Sequence, residues 1–303
     1  MTHRKVSIII LNWNGLEDTV ECLESLGKIT YPNYEVIVVD NASEGDDVRI
    51  LRERFGDYVY IIENEENYGF AEGNNIGIRY ALSSNADYVL LLNNDTVVHP
   101  DFLSELVREA VTDKNVGIAG PTMYYYDQQE KVCVTANFIN YWTGNLFSRR
   151  RGEIDLEQVE GAVEVDWVGG FCMLISRNVL LTAGLLDARF FFYYDDPDIC
   201  IRAARQGFRI LYVTGSKVWH KLATRLAFRK KKSTSYGLHA YSLVRNRFIL
   251  MQKRWSGPQL VTSSICYVAS WPKLFVDYLI YYRQWAMLTR FVQGVFDSIR
   301  KRV

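Results

Sequence analysis

The 303-residue sequence predicts an α/β fold, a doubly wound, mostly parallel sheet flanked by helices, with a basic, aromatic and helical C-terminal extension. Three observations carry this. Val6–Asn12 (VSIIILN) and Tyr34–Asp40 (YEVIVVD) are β-branched apolar runs of the kind buried on both faces in parallel sheets. Between them, Leu16–Leu26 brings Val20, Leu23 and Leu26 near one helical face. Polar residues gather where strands end, at Asn12, Asp40, Asn94 and Asp95, and open α/β sheets bind ligands at those ends.

The remaining elements follow in order. Tyr58–Glu63 reads as a strand, Ala71–Leu82 as a helix, and Tyr88–Asn93 (YVLLLN) as a central buried strand. Pro100 and Asp101 open a helix that runs to about Val111, proline being tolerated in a first turn. Val116–Gly120, Cys172–Ser176 and Lys217–His220 are further strands, and residues 137–165 read as an irregular insertion with room for a hairpin. Asp195-Asp196-Pro197-Asp198 begins a helix, with Asp196 as N-cap, Pro197 first, Asp198 in the first turn and Gly207 as stop. After His220 the pattern changes. Lys221–Ser235 is basic and expected to be mobile, Tyr236–Lys253 is helical, and 256–303 is aromatic and amphipathic, which divides the chain into 1–220 and 221–303.

Composition is that of a globular protein, 49% hydrophobic and 23% charged. The cysteines, Cys22, Cys133, Cys172, Cys200 and Cys266, show no CxxC pairing, which argues against a disulfide framework and for a reducing compartment. Val6–Leu11 is too short for a signal-peptide core, so no export signal is expected. The formal net charge of zero conceals a split: residues 221–303 hold 16 Lys/Arg against Asp277 and Asp297, a net of +14, and the rest carries −14. That tail suits an anionic membrane surface, a diphosphate or nucleic acid, or packs against the acidic part. Trp255–Pro272 is free of charge, but Gly257, Pro258 and its Ser/Thr make it a poor spanning helix, so an interfacial one is expected. Trp255, Trp271, Tyr278, Tyr281, Tyr282 and Trp285 would supply its aromatic contacts.

Three stretches bear the chemistry. Asn93-Asn94-Asp95-Thr96 follows the most apolar strand, and a carboxylate there can bind Mg²⁺ or Mn²⁺ with diphosphate oxygens or simply make a turn. His220 ends a strand and can share such a cation; alone, it also fits a structural role. Asp195 and Asp196, behind the aromatic run Phe190–Tyr194, offer a base for a hydroxyl proton as well as a helix cap. Asp40 can accept from a pyrimidine N3–H or simply make a turn with Asn41-Ala42-Ser43. Asn67 to Asn75 (NYGFAEGNN) is a Gly- and Asn-rich helix start that lets a ligand approach the backbone, or is simply a helix N-cap with a tight turn. Asp166-Trp167-Val168-Gly169-Gly170 would place backbone and an aromatic ring beside a substrate or simply pack, and Arg245-Asn246-Arg247 can grip a pyrophosphate or simply be solvated. No GK[ST] P-loop and no GxGxxG after the first strand is present, which disfavours nucleoside triphosphatases and nicotinamide dehydrogenases. A nucleotidyltransferase would want a basic residue directly after that strand, where Asn12-Trp13-Asn14-Gly15 stands.

Together VSIIILNWNG, YEVIVVDNAS, NYGFAEGNNIGI, YVLLLNNDT, DWVGGFCMLISR, FFYYDDPDICIRAARQGF, VWH and the Arg245-Asn246 pair resemble family 2 glycosyltransferases of the GT-A fold, rhamnosyltransferases of cell-surface glycan assembly above all. The resemblance spans roughly residues 5–250. It implies that Asp40, with Asn12 and Asn14, holds the nucleobase, that Asn67, Gly69, Asn74, Asn94 and Asp95 line the donor site, and that Asp95 and His220 ligate Mg²⁺ or Mn²⁺. It implies Asp196 as base, with Trp167, Gly169, Gly170 and Asp195 on the acceptor side. Two departures stand out: Asn93 replaces the first Asp of the family's DxD motif, and Asp195 stands where Glu is common. The implied chemistry is inverting transfer from a dTDP- or UDP-sugar, L-rhamnose first, to a polyprenyl-diphosphate-linked glycan. A UDP-hexose or UDP-N-acetylhexosamine transferase, or a catalytically degenerate membrane-bound assembly partner, are the alternatives. The implied location is the cytoplasm, peripherally on the inner face of the cell membrane, with no nucleic acid as partner.

Overall fold

A computed structural model describes residues 3–134, 136–148, 161–221, 233–276 and 285–300, with backbone alone at 233–239, 286 and 299. Residues 149–160 of the insertion, 222–232 of the basic segment, and 277–284 with Tyr278, Tyr281 and Tyr282 lie outside the described residues.

Four parallel strands, β1 (Val6–Asn12), β2 (Tyr34–Asp40), β3 (Val59–Glu63) and β4 (Tyr88–Asn93), stand in the order β3-β2-β1-β4. Register puts Asn12 opposite Asp40 and Leu11 opposite Asn93, so three strands end level and present their polar termini together. Beyond β4 the sheet is mixed. β11 (Cys172–Ser176) runs antiparallel between β4 and β6 (Val116–Tyr125), β12 (Arg209–His220) is parallel to β6, and β10 (Ala162–Glu164) closes that edge. Short β5 (Thr96–Val98) pairs with the end of β12 and sets His220 opposite Thr96. β7 (Val132–Val134) adds to β6, and β8 (Asn137–Asn140) with β9 (Asn145–Ser148) forms a separate hairpin. The insertion thus holds its hairpin, and its far end is the edge strand of the main sheet rather than irregular chain. β12 is longer than its recognisable end, Lys217–His220, because a register shift between Val213 and Lys217 interrupts the pattern.

Helices cover both faces. α1 (Leu16–Leu26) and α4 (Phe102–Ala110) bury Leu23, Leu26, Phe102 and Leu106 in one core with Ile8, Ile10, Val38 and Leu90. α3 (Gly69–Ser83), α5 (Arg177–Thr182) and α6 (Asp195–Arg205) bury Ile78, Val179 and Ile199 in a second core with Ile9, Ile37, Val39 and Leu91. Successive residues Ile8, Ile9 and Ile10 serve opposite cores, which is why the run is apolar without alternation. α2 (Asp47–Phe55) has no such signature, since among its apolar residues only Leu51 is buried. α6 begins at Asp195, two residues before the expected first helical residue Pro197, so Asp196 lies within the first turn rather than capping it.

The chain forms two compact units. One comprises Met1–Phe138, Ser148–Phe191 and Asp195–Leu222; the other Ile139–Phe147, Phe192–Tyr194 and Ala223–Val303. The second therefore draws two short segments from before residue 220. It carries α7 (Ser233–Arg254), α8 (Gly257–Ala269), α9 (Trp271–Val276) and α10 (Trp285–Arg300) around Ala240, Val244, Tyr267, Met287 and Phe291. Ser256 and Gln259 form a capping box at the start of α8. Two of the aromatic residues expected at a membrane surface pack inward instead: Trp255 is buried, and the Trp271 ring stands edge-on to Phe291 at 5.3 Å. Trp285 is exposed. Among the described residues no helix is long and apolar enough to cross a membrane.

Candidate active site

At the level ends of β1 and β2 lies a closed polar network. Asn12, fully buried, donates through Nδ2 to Asp40 Oδ1 (2.8 Å), Asp47 Oδ2 (3.0 Å) and Ser43 Oγ (3.1 Å). Its Oδ1 accepts from Thr19 Oγ1 (2.8 Å), which in turn accepts from Asn94 Nδ2 (3.0 Å). Asp40 also accepts from Ser43 N (2.9 Å) and Ser43 Oγ (2.7 Å), so its carboxylate is committed to the loop that follows it. Asn14 donates its N–H to Ser43 Oγ (2.8 Å) and accepts from Glu44 N (2.6 Å), joining the two loops. Asn14 (φ 51°) and Ala42 (φ 60°) both sit in the left-handed region. Backbone strain of that kind costs about 1–3 kcal/mol per residue and gathers at functional sites. Beside them a cleft of about 370 Å³ is lined by Asn14, Gly15, Leu16, Asp18, Glu44 and Asp47.

The Gly- and Asn-rich start of α3 is occupied by its own chain. Asn67 Oδ1 accepts from Gly69 N (2.9 Å) and from Asn41 Nδ2 (2.8 Å), and Phe70 N donates to Phe191 O (2.8 Å). Gly69, at φ 79°, lies so close under Phe191 that a Cβ would clash with its ring. The first two amides of this helix, Gly69 and Phe70, are thereby satisfied by the chain itself. Asn74 is buried and donates to Phe70 O (2.9 Å) within the same helix.

Asp95 Oδ1 lies 3.3 Å from His220 Nε2, brought there by the β5–β12 pairing. Burial raises the Asp95 carboxyl and lowers the His220 imidazole. His220 Nδ1 is buried with no hydrogen-bond partner among the described residues, and Asn93 Nδ2 stands 3.2 Å from Nε2. Among the described residues no group of three or more His, Cys, Asp or Glu can hold a metal. A hard carboxylate oxygen beside a neutral imidazole nitrogen nevertheless fits a divalent ion whose other positions are filled by substrate oxygens and water.

The acidic pair follows two consecutive left-handed residues, Tyr193 (φ 71°) and Tyr194 (φ 73°). Asp195 is buried, and burial together with the Asp196 charge pushes its carboxyl far above the usual range. Half-buried Asp196 accepts from Gly170 N (3.1 Å), and burial pushes its pKa up to about 6. Trp167 Nε1, in the same loop as Gly169 and Gly170, is buried without a partner among the described residues. Asp198 belongs to the scaffold: fully buried, it accepts from Arg202 Nε (2.8 Å), whose Nη2 also donates to Leu185 O (2.7 Å).

Gly170 and Phe171 connect the two chemical centres. Gly170 touches Asp196, while the next ring, Phe171, packs edge-on to His220 at 5.8 Å and its carbonyl accepts from Asn93 N (2.8 Å). The structure so brings Asn12, Asn14, Asp40 and Asn94 together at one end and Asp95, His220, Gly170 and Asp196 along one chain of contacts. Sequence reasoning missed Thr19, Phe171 and Lys221; Lys221 Nζ binds Asp18 (2.7 Å) and Glu21 while its N–H donates to Asp95 O (2.9 Å). Such pairs lie far apart in the chain and carry no local pattern. Arg247, read as a pyrophosphate grip, instead donates to Gly144 O (2.9 Å) and Asn145 Oδ1 (2.8 Å), and its guanidinium lies 4.1 Å from the Tyr267 ring centre.

Comparisons with known proteins give the family and the fold. Residues 3–235 match the family described as glycosyltransferase like family 2. The chain is similar to the low-salt glycan biosynthesis hexosyltransferase Agl10 of Haloferax volcanii, 30% identical over 209 residues that cover 68% of this chain and 63% of that protein. It thus spans less than two thirds of that relative. It is also similar to the dTDP-rhamnosyl transferase RfbF of Shigella flexneri, 25% identical over 227 residues covering 73% of this chain and 72% of that one. Among solved structures, the mannosyltransferase PcManGT from Pyrobaculum calidifontis, in complex with GDP-Man and Mn²⁺, matches at TM-score 0.61 and 17% identity, covering 100% of this chain and 89% of that one. The sheet and its flanking helices are those of the GT-A glycosyltransferases, and the chain belongs to the family 2-like glycosyltransferases.

Proposed function

We propose that this chain is an inverting, divalent-cation-dependent glycosyltransferase. It moves a sugar, L-rhamnose as first choice, from a dTDP- or UDP-linked donor to a hydroxyl of a polyprenyl-diphosphate-linked glycan. The observation that carries the reading is the placement of Asp95–His220 and the raised-pKa Asp196 on either side of Gly170-Phe171. Asn12, Asn14 and Asp40 would border the nucleobase, and Asp95 with His220 would hold Mg²⁺ or Mn²⁺, which when bound offsets negative charge on the departing diphosphate. The acceptor hydroxyl attacks C1 and its proton passes to Asp196. The C1–oxygen bond to the diphosphate breaks with its electron pair, and configuration inverts. A carboxylate with a pKa near 6 is a stronger base than an ordinary one and is still ionised at neutral pH.

The name of the Shigella relative supports rhamnose. The Haloferax hexosyltransferase and the GDP-Man complex keep a hexose or N-acetylhexosamine donor as the second reading. Asn93, where a DxD motif has its first acid, motivates a degenerate partner instead. A screen of dTDP-rhamnose and UDP-hexoses with Mn²⁺ separates these, reading thermal shift and nucleoside diphosphate release. A donor at about 100 times Kd stabilises the fold by roughly 2.7 kcal/mol. Release from one donor, abolished by chelation and by Asp95→Ala, is the expected result. Release that persists in chelator removes the cation, and binding without release from any donor favours the degenerate partner.

The helical unit supports a peripheral place on the cytoplasmic face of a membrane. Val261, Ile265 and Val268 are exposed at helical spacing on α8, and Val276 is exposed on α9 with Lys273, in a region of net charge +14. Near an anionic surface each Lys/Arg contributes about 1 kcal/mol, screened by salt. Flotation with anionic but not neutral vesicles is expected, and binding to neither would remove the membrane from the account.

A further inference from the structure

Asn246, inside α7, is 1% exposed and spends its whole amide on one task. Nδ2 donates to the successive carbonyls of Phe192 (2.8 Å) and Tyr193 (3.1 Å). Oδ1 accepts from Arg245 Nη1 (2.8 Å), which fixes the amide with its nitrogen toward the turn. Both sides of this clamp lie in the same compact unit. The turn it holds is unusual: Tyr193 and Tyr194 are consecutive side-chain-bearing residues at φ 71° and 73°, a conformation that L-residues leave unless surrounding contacts impose it. The peptide chain passes from Tyr194 straight into Asp195 and Asp196, the first residues of α6.

We propose that Asn246 is a positioning residue for Asp196, holding the Phe192–Tyr194 turn so that the carboxylate faces the acceptor. This rests on the reading of Asp196 as the base. Arg247 acts in parallel on a different segment, bracing the tip of the β8–β9 hairpin at Gly144 and Asn145. The Arg245-Asn246-Arg247 stretch is thereby a bracket for two loops rather than a phosphate grip. An amide in this orientation gives two donors to adjacent carbonyls, whereas an isosteric carboxylate would face both with its oxygens.

The test compares Asn246→Asp, Asp196→Asn and the double variant in the full-length protein. Transfer is measured with the nucleotide sugar that gives fastest release in the screen above, and donor-site integrity as affinity for the nucleoside diphosphate with Mn²⁺. Asn246→Asp should lower kcat by about 10²-fold, the scale of a misplaced catalytic group, with diphosphate affinity unchanged. The double variant should be no slower than Asp196→Asn alone, and amide hydrogen exchange at Tyr193–Asp196 should quicken. A lower Tm with kcat intact, or losses that multiply in the double variant, would overturn the proposal and leave Asn246 a packing residue. If Asp196→Asn itself turns over normally, the base assignment fails, separately from the clamp. Should Asn246→Asp not fold, Arg245→Lys, which weakens only the orientation of the amide, is expected to give a smaller kcat loss of the same kind, and an unchanged kcat would count against the clamp.

Discussion

At the β1–β2 end, Asn12, Thr19, Ser43, Asp40 and Asn94 satisfy one another, and little about them needs a ligand in order to be stable. At the α6 end the opposite holds. Asp195 and Asp196 are adjacent carboxyls in a desolvated turn, entered through two left-handed tyrosines, and both are pushed upward in pKa. A recognition surface can be preassembled at no cost in reactivity, because it has only to keep its shape. A base must be able to take a proton, so it is kept short of compensating charge and the scaffold carries the strain. Substitutions at the two ends should therefore fail in different ways.

The largest difference is expected at Asp196. Asp196→Asn should lower kcat by roughly 10²–10⁴-fold, the range for loss of a general base. Donor affinity should be unchanged. The folded pKa lies above that of an unfolded carboxyl, so the stability this group contributes is present at low pH and is lost as pH rises through about 6. At neutral pH the Asn variant should thus be no less stable than the parent, and a clear drop in Tm alongside the lost activity would point to a structural role.

Asp198→Asn, two residues on, breaks the comparison along the other axis. It strips the carboxylate from a buried partner of Arg202, a change that costs roughly 3 kcal/mol or more of stability. The rate per folded molecule should hold. Thermal unfolding with an active-site titration checks this, and an unchanged Tm would mean that Arg202 finds its partners elsewhere.

Ser43→Ala tests the recognition end with the smallest effect. It removes the hydroxyl that binds Asp40 and receives the Asn12 amide and the Asn14 N–H, a loss of about 1–2 kcal/mol. Nucleotide affinity should weaken several-fold with kcat preserved. A kcat effect without an affinity effect would place Ser43 in the chemistry and undo the division between the two ends.

The division also explains what sequence alone could disclose. Asn12, Asp40, Asn94 and Asp95 were legible because strand periodicity ends abruptly at each, and Asp196 because an acidic run opens a helix behind aromatics. The parallel core was legible for the same reason: residues such as Ile8, Ile9 and Ile10 must all be apolar when both faces are covered. Thr19, Phe171, Lys221 and Asn246 were not legible in these roles, since each depends on a partner distant in sequence and looks ordinary in its own segment. Asp198 shows the converse error: an acid at a helix start suggests the helix dipole, yet tertiary packing makes it the buried partner of Arg202. Trp255 and Trp271 misled similarly, because aromatic composition does not say which face of a helix packs.

The central claim is that Asp196 is the base and that desolvation has raised its pKa. The pH dependence of kcat at saturating donor and acceptor tests it most directly. The account predicts that kcat falls tenfold per unit as pH drops below about 6, and that this limb disappears from the residual activity of Asp196→Asn. A profile flat down to about pH 5, or the same limb persisting in the Asn variant, would contradict it.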